Sequence, residues 1–454
     1  GTTIDSEPDG QPTANGSGDG ADDDGVTLPV FVAGQTVLVP VNLSNLNGQN
    51  TGANLTMFVD WNGDGDFGDA GEMISTSVAD GFNGTTNLSV PVPIGALLNK
   101  DLGIRFRLST DANAAMSPSG PAPDGEVEDY VAQVVAYDYG DLADSGAGTG
   151  TGNHQTALSD NGPSHKISTD PNSNAINLKI GAALDPDVNP LPSANADGDD
   201  IAGIDDEDGL SLPSLELNVP ANITVAVTNT TGGDAHLTVF VDWNGDGDFN
   251  DPGESYTTLV VNNASSVTVP VTPPSAAVLN TNIGVRARLS TDLVAATSPI
   301  GPAPDGEVED YVVQVAAYDW GDLADTDAAG SYPTNKTNGA GEGVGASHKI
   351  VNGLQLSASV DAESNGQPTA NSDGDDLSGL DDENGVAVFP IFLAGQTATV
   401  QVNVLNTLGL AAVLYGFFDW NQDGDFTDPN EKVSVNVPNG TNGLLPLNVT
   451  IPGN

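Results

Sequence analysis

The strongest constraint on the fold is an internal repeat. The segment GTTID at 1–5 returns as GAALD at 181–185, an offset of 180 residues, and as SASVD at 357–361, a further 176 residues on. Repeats of this length predict tandem domains, each large enough to have its own core. We expect five segments in this order: first repeat 1–135, first connector 136–180, second repeat 181–316, second connector 317–356 and third repeat 357–454. We also expect that the first repeat lacks its own N-terminal connector here and that the third repeat lacks its last strands.

The residue pattern within each repeat is that of β-strands. Stretches such as QTVLVPVNLSN (35–45) alternate polar with β-branched residues, and Gly, Pro, Asn and Asp follow at short intervals. No segment has a convincing amphipathic helical pattern. The sequence therefore predicts an all-β fold of tandem antiparallel β-sandwiches, Ig-like or jelly-roll-like. The connector ends SHKI and LKIG are expected to add a strand or hairpin to the sandwich that follows.

The charge of the chain excludes several classes of partner. There are 63 acidic and 10 basic residues, so the formal net charge is -53. A nucleic-acid binder or a protein that docks on anionic membranes needs the opposite sign. No apolar run is long enough to span a bilayer, so direct membrane insertion is not expected. Cysteine is absent, which excludes disulfides and thiolate ligands.

An acidic loop occurs three times and predicts a calcium site. The sequence DWNGDGDFGDAGE at 60–72 places acids and Asn at alternate positions around Gly65, as in the first half of an EF-hand loop. The acid at the end falls one position late and no helix flanks the loop, so we expect a β-flanked loop in which Asp69 and Glu72 compete for the closing role. A solvated acidic turn is the alternative. The candidate ligands are Asp60, Asn62, Asp64, Asp66, Asp69 and Glu72; Asp242, Asn244, Asp246, Asp248, Asp251 and Glu254; and Asp419, Asn421, Asp423, Asp425, Asp428 and Glu431.

A second acidic cluster precedes a strand in each repeat. Embedded Gly and small apolar residues favour a second calcium region over a charged disordered strip. The acidic coat of a halophile is an alternative explanation for the charge of the whole chain. The candidate ligands of the second cluster are Asp5, Glu7, Asp9, Asp22, Asp23 and Asp24; Asp199, Asp200, Asp205, Asp206 and Glu207; and Asp375, Asp376, Asp381, Asp382 and Glu383.

The segment DGEVEDY at 124–130 leaves two interpretations open. Strand alternation would place Glu126 and Glu128 on one face and Val127 and Asp129 on the other. The acids of this segment either bind calcium or pair with Arg105 and Arg107 of the RFRLS strand.

The ordered motifs resemble the GEVED-type modules of bacterial and archaeal secreted and cell-surface proteins. The matching motifs are YDYGDLADS, SHKI, GQPTAN, GDDIAGIDDEDG, DWNGDGDF and PDGEVEDY. The resemblance implies β-sandwich modules on large extracellular proteins, with calcium binding and no catalytic activity. We expect several calcium ions per module.

Functional expectations follow from the repetition of every acidic cluster. An enzyme needs a singular site, so we expect no catalysis. His165 and His348, in the two SHKI motifs, are expected to be structural, and His154 and His236 to be exposed. The leading hypothesis is a calcium-stiffened extracellular or cell-surface stalk or filament that associates with copies of itself. The alternatives are an adhesin that binds a host, matrix or glycan ligand through its loops, and accessory modules of a secreted hydrolase.

Overall fold

The fold is all-β, as the residue alternation predicts. In the computed structural model the described residues are 1, 10–18, 23–46, 48, 50–198, 201, 203–326, 332–337, 344–374, 377 and 382–453. Two single-turn helices, α1 (Ala112–Ala115) and α2 (Leu293–Ala296), and one 3-10 turn interrupt the strands. None of the described helices has the length and apolar character needed to cross a membrane.

The strands are β1 Phe31–Val32, β2 Thr36–Asn45, β3 Ala53–Val59, β4 Met73–Val78, β5 Phe82–Pro91, β6 Leu102–Ser109, β7 Glu126–Ala132, β8 Val134–Val135, β9 Tyr137–Tyr139, β10 Ser164–Lys166, β11 Leu178–Ile180, β12 Leu210–Ser211, β13 Leu215–Glu216, β14 Ala221–Asn229, β15 Ala235–Val241, β16 Ser255–Val260, β17 Ser266–Val271, β18 Ile283–Ser290, β19 Pro302–Ala303, β20 Glu307–Val313, β21 Val315–Ala316, β22 Tyr318–Trp320, β23 Ser347–Lys349, β24 Leu354–Leu356, β25 Thr397–Asn406, β26 Ala412–Phe417, β27 Lys432–Val437 and β28 Thr441–Thr450.

The chain forms two compact units. The first comprises Gly1–Leu212, Ile223–Val269 and Gly284–Val312, and the second comprises Pro213–Asn222, Pro270–Ile283 and Val313–Asn454. The division passes through the second repeat, and the expected boundaries of the three repeats stay a prediction.

The first repeat is a sandwich of two antiparallel sheets. A four-stranded sheet of order β4-β3-β6-β7 faces the long antiparallel pair β2–β5, in which Val39 lies opposite Leu88. Inward-facing apolar side chains of both sheets, among them Val39, Met57 and Phe106, form one core. Because strand side chains alternate between faces, the β-branched positions of QTVLVPVNLSN provide one layer of that core.

The second repeat has the same sheets, and the first connector is built into them. Its four-stranded sheet has the order β16-β15-β18-β20, and β14 pairs with both β12 and β17. From the connector, β11 pairs with β14, and β10 lies between β9 and β19. The SHKI and LKIG segments of the first connector therefore add strands to the sandwich that follows them, as expected, whereas the second SHKI strand, β23, pairs with β22.

The third repeat contains the sheet β24-β25-β28 and the pair β26–β27. Its core includes Val402, Val437 and Leu447. The two pairs within the second connector and third repeat, β22–β23 and β26–β27, have no further strand among the described residues.

One buried asparagine holds the same turn in every repeat. The side-chain amides of Asn45, Asn229 and Asn406 each donate to two backbone carbonyls, including those of Val78, Val260 and Val437. Asn229 begins an Asn-x-Thr sequon, yet it is fully buried. Its side chain is therefore closed to glycosylation in the folded protein.

Candidate metal sites

Each acidic loop connects two neighbouring strands of a sheet. The loops join β3 to β4, β15 to β16 and β26 to β27. The glutamate that ends each loop is almost fully buried, with exposures of 1% for Glu72, 2% for Glu254 and 1% for Glu431. In the first loop, Glu72 accepts hydrogen bonds from the backbone N–H groups of Trp61 at 3.1 Å and Asp69 at 3.0 Å. Glu72 therefore clasps the two ends of the loop together.

Backbone amides fix the orientation of the other acids. The two carboxylate oxygens of Asp60 accept from the N–H groups of Asp64 and Gly65, at 3.1 and 3.0 Å. Asp64 Oδ1 accepts from Asp66 N, and Asp66 Oδ1 accepts from Gly68 N. Such short-range bonds are typical of Asp in tight turns. They leave the second oxygens of Asp64 and Asp66 outside this pattern.

An asparagine amide lies between two carboxylates in every loop. Asn62 Nδ2 is 3.0 Å from Asp64 Oδ2 and 2.6 Å from Asp69 Oδ2. The second loop has 2.9 and 2.6 Å at the matching atoms of Asn244, and the third has 2.9 and 2.5 Å at those of Asn421. One amide group thus offsets part of the repulsion between two acids in each copy.

The donor set of the loops suits a hard cation, although the convergence is incomplete. Carboxylate and amide oxygens are the ligands that calcium prefers. In the first loop, the carboxylate oxygens of Asp64 and Asp69 converge on the side-chain nitrogen of Asn62. No three His, Asp or Glu side chains of the described residues, however, form a group that could hold a metal ion. Burial raises the pKa of Glu254 to about 7.

The second acidic cluster uses its carboxylates as acceptors for the backbone. Asp206 Oδ2 accepts from Asp185 N at 3.2 Å, and Asp382 Oδ2 accepts from Asp361 N at the same distance. Asp23 Oδ1 accepts from Asp129 N at 3.0 Å. These acids fix the segment that enters each repeat. Of the other described members, Glu207 is half-buried, and the exposed ones are Asp24, Asp205 and Glu383.

Part of this cluster lies outside the described residues. These predicted ligands are Asp5, Glu7, Asp9, Asp22, Asp199, Asp200, Asp375, Asp376 and Asp381.

The GEVED segment of the first repeat pairs with an arginine through Asp129, which confirms the arginine interpretation for that residue. Arg105 forms a two-bond pair with Asp129 at 2.7 and 2.5 Å, and Arg107 donates to three backbone carbonyls of the 117–120 turn. In the second repeat, Glu307 and Glu309 are each 1% exposed, and Glu307 Oε1 has no hydrogen-bond partner among the described residues. Burial raises the pKa of Glu309 to about 8.

An aromatic ring from the connector docks on the acidic loop that follows it. His154 Nε2 is 3.2 Å from Asp242 Oδ2, and its ring stacks on Phe249 at 5.5 Å. In the second connector, Tyr332 Oη donates to Asp419 Oδ2 at 2.8 Å and stacks on Phe426 at 5.2 Å. The expectation that His154 is an exposed residue was wrong, because it is 5% exposed. Tyr332 is the counterpart of His154 in the second connector, but the repeat in the sequence does not show this because the two residue types differ. The same expectation was wrong for His236, because this residue lies in β15 and is half-buried.

The histidine of the first SHKI motif has a structural role, as expected. His165 is fully buried, its Nδ1 contacts the carbonyl of Asp305 at 2.8 Å, and Arg288 Nε donates to its Nε2 at 2.9 Å. This pattern requires the neutral ring with its proton on Nδ1. Burial lowers the pKa of His165 well below the usual value.

Comparison with known proteins gives one family match. The GEVED domain family matches residues 54–133 and 236–314. No curated protein matches the chain.

Solved structures show only distant likeness. The crystal structure of CBD12 from CALX1.2 has 11% sequence identity to this chain and a TM-score of 0.17, and the match covers 63% of this chain and 96% of that chain. The calcium binding domain CBD12 of CALX1.1 has 9% identity, the same coverage and a TM-score of 0.17. A Bacteroides uniformis beta-glucuronidase has 10% identity, coverage of 64% and 27%, and a TM-score of 0.19. Likeness at this level assigns no ligand to the chain.

The family match covers β3 to β7 in the first repeat, including the acidic loop and the GEVED strand, and β15 to β20 in the second. The chain therefore carries two tandem GEVED domains, at residues 54–133 and 236–314.

Proposed function

We propose that this chain is a structural protein of the cell surface or the extracellular medium, in which calcium bound by the acidic loops stiffens tandem β-sandwiches. The observation that carries the proposal is the threefold recurrence of one loop geometry. In each copy the buried glutamate clasps the loop, backbone amides orient the acids, and two carboxylate oxygens converge on one Asn side chain.

Calcium would change the charge balance of these loops. Five carboxylates lie within the thirteen residues 60–72, so binding a divalent ion removes repulsion that one Asn amide offsets only in part. The side chains that would hold the ion are Asp64, Asp66, Asp69 and Asn62. Extracellular calcium modules bind with dissociation constants of roughly 10⁻⁴ to 10⁻³ M, which suits exposed loops of this kind.

The position of the loops supports a stiffening role. In the first unit, the connector ring of His154 contacts the first acid of the second loop, so order in the loop is coupled to order in the connector. Tyr332 does the same for the third loop in the second unit. A cation that orders a loop would therefore also fix the connector before it.

A non-catalytic role is part of the proposal. An acidic loop occurs in every repeat, and the buried His165 is hydrogen-bonded to Arg288 and to the Asp305 carbonyl. Neither arrangement leaves a singular nucleophile or base of the kind that an enzyme needs.

Calcium titration of the full chain tests the proposal. A cation that binds only the folded loop raises stability by about 2.7 kcal/mol at a concentration of 100 times its dissociation constant. We expect the thermal midpoint to rise with calcium and to fall again with chelator, and equilibrium dialysis to count at least one ion per loop. An unchanged midpoint together with no retained calcium would reject the proposal.

A further inference from the structure

The second repeat encloses four carboxylates near the start of its GEVED strand. Glu307 and Glu309 on β20 are each 1% exposed, Asp138 on β9 is 3% exposed, and Asp206 is 7% exposed. A buried carboxylate is costly unless a cation or several hydrogen bonds compensate its charge. The cluster therefore needs a source of positive charge.

Three parts of the chain meet at this cluster. Asp138, in the connector strand β9, accepts a hydrogen bond from Val308 N on β20 at 2.6 Å. The segment that enters the repeat is bound to β9, because Asp187 N donates to the Tyr137 carbonyl at 2.8 Å. Asp206 Oδ2 accepts from the backbone of the same entering segment. The connector, the entering segment and the GEVED strand are thus joined around the buried acids.

One carboxylate oxygen of the cluster has no protein donor. Glu307 Oε2 accepts a hydrogen bond from Ile180 N, whereas Glu307 Oε1 is buried and has no hydrogen-bond partner among the described residues. Glu309 differs, since its two oxygens accept from Gly209 N at 3.1 Å and from Tyr311 Oη at 3.0 Å. Glu307 Oε1 is therefore a buried acceptor that no donor in the described part of the chain uses.

No basic side chain compensates the two glutamates. Within the described ranges, neither Glu307 nor Glu309 forms an ion pair with a lysine or an arginine. Arg286, on the neighbouring strand β18, is paired with Asp310 instead. Burial raises the pKa of Glu307 well above its usual value, and the negative charges of Glu309 and Asp138 raise it further. Together these observations indicate a buried place for a positive charge.

We propose that the second repeat binds a hard divalent cation at Glu307 Oε1, with Asp138 and Asp206 as the other carboxylate ligands. Carboxylate oxygens are the preferred ligands of calcium, and backbone carbonyls and water complete its shell of about six to eight oxygens. The described carboxylates do not yet form a complete metal-binding group. We therefore expect the bound cation to draw the two aspartates towards Glu307.

This interior site is separate from the acidic loops. It shares no residue with the loop at 242–254, which joins two neighbouring strands, β15 and β16. The ligands of the interior site come instead from the connector, the entering segment and β20. A cation there would hold these three segments together.

The variant Glu307→Gln tests the inference in the full chain. Gln keeps an acceptor for Ile180 N and removes the negative charge, so equilibrium dialysis against calcium should retain one ion fewer per chain. In chelator the thermal midpoint of the variant should match or exceed that of the wild type, because a buried acid is gone. In calcium it should be lower, because the wild type gains the bound ion. A merely structural role for Glu307 would lower the midpoint in both conditions.

Two further variants locate the ion. Asp138→Asn should lose the same ion, so the double variant with Glu307→Gln should bind no fewer ions than either single variant. Glu309→Gln is the matched control, because both oxygens of Glu309 already accept from the protein, and this variant should retain the ion. Circular dichroism verifies that each variant is folded.

Four results would overturn the inference. They are an unchanged ion count in Glu307→Gln, a further ion lost in the double variant, an equal loss in Glu309→Gln, and a midpoint of Glu307→Gln that falls equally in calcium and in chelator.

The acidic loops are tested separately by Asp251→Asn, which changes the loop and leaves the interior site intact. Weaker binding in that variant alone, with the ion count of Glu307→Gln unchanged, would support the loop sites and reject the interior site. The reverse result would support the interior site and reject the loop sites. The two proposals can therefore fail independently.

Discussion

His154 and Asp242 meet across 88 residues of sequence, with Nε2 and Oδ2 3.2 Å apart and both side chains nearly excluded from water. Asp242 Oδ2 also accepts from Gly247 N at 2.9 Å, so one oxygen joins the connector to the turn of the acidic loop. Tyr332 makes the same junction with Asp419 in the second connector. The junction thus needs a ring with a polar edge rather than histidine itself.

Replacement of His154 should separate stacking from hydrogen bonding. His154→Ala loses both contacts, and a buried hydrogen bond to a charged group is worth about 1.5–3 kcal/mol. We expect amides of residues 242–254 to exchange roughly tenfold faster or more in hydrogen-exchange mass spectrometry. His154→Tyr should exchange close to wild type, because it copies Tyr332. If His154→Ala and His154→Tyr gave the same amide exchange rates, the ring contact would be either dispensable or specific to imidazole.

Calcium affinity should depend on the two acids that share an amide. Asp251→Asn removes one of the two carboxylates that contact Asn244, so we expect calcium binding by the second loop to weaken by about tenfold or more. Isothermal titration of the full chain should show one weakened site per substituted loop. Asp101→Asn is the matched control, since Asp101 is exposed and bonded to Gln133. A similar loss in that variant would point to net charge instead of ligation.

The two buried arginines of the second repeat should tolerate substitution less than those of the first. Arg288 donates to His165 and to the carbonyls of Ser298, Ile300 and Gly301. Arg288→Lys cannot reproduce this fork, and we expect a loss of about 3 kcal/mol in the free energy of unfolding.

Arg105→Lys provides the comparison. Arg105 and its partner Asp129 have side-chain exposures of 34% and 39%, so solvent screens the pair, and the expected loss is about 1 kcal/mol or less. Urea unfolding monitored by circular dichroism measures both. Equal losses would contradict the role assigned to the buried His165 contact.

The buried glutamates of the GEVED strand should make the calcium-free protein less stable as the pH rises. Burial raises the pKa of Glu309 to about 8 from a usual value of 4.5. The folded state then holds a proton that the unfolded chain has released. Stability therefore falls between these two pH values, by at most about 1.4 kcal/mol per pH unit for one such proton.

The variant Glu309→Gln isolates this contribution. It removes the titrating group while keeping an acceptor for Gly209 N, which bonds to Glu309 Oε1 at 3.1 Å. We expect the thermal midpoint of the variant to fall less between pH 5 and pH 8 in chelator than that of the wild type. Asp101→Asn should follow the wild type. A variant that falls as steeply as the wild type would show that Glu309 does not carry the effect.

The sequence predicts those features of the fold that depend on neighbours along the chain. Alternating residues mark the strands, and the Asx-rich turn at 60–72 is built from bonds between residues two to five positions apart. These patterns recur in each repeat, so self-comparison finds them.

Contacts between residues that lie far apart in the sequence could not be predicted from these local patterns. The partner of Asp242 lies in a connector whose residue types change from His154 to Tyr332, so no repeated letter marks it. The face taken by the GEVED glutamates follows from alternation, but their burial depends on the entering strand and on Gly209 N. The sequence left calcium and arginine open as partners of this segment, and the structure shows its Asp129 paired with Arg105.

The first connector supplies strands β10 and β11 to the second repeat, and this decides where the chain can be cut for expression. A fragment that starts at residue 181 would lack the Thr156 hydroxyl, which binds Arg286, and the His165 ring, which binds Arg288. Both guanidinium groups would then lose these hydrogen-bond partners. A fragment that starts at residue 136 would include both Thr156 and His165. A fragment designed for expression of the second repeat should therefore include the connector strands β10 and β11.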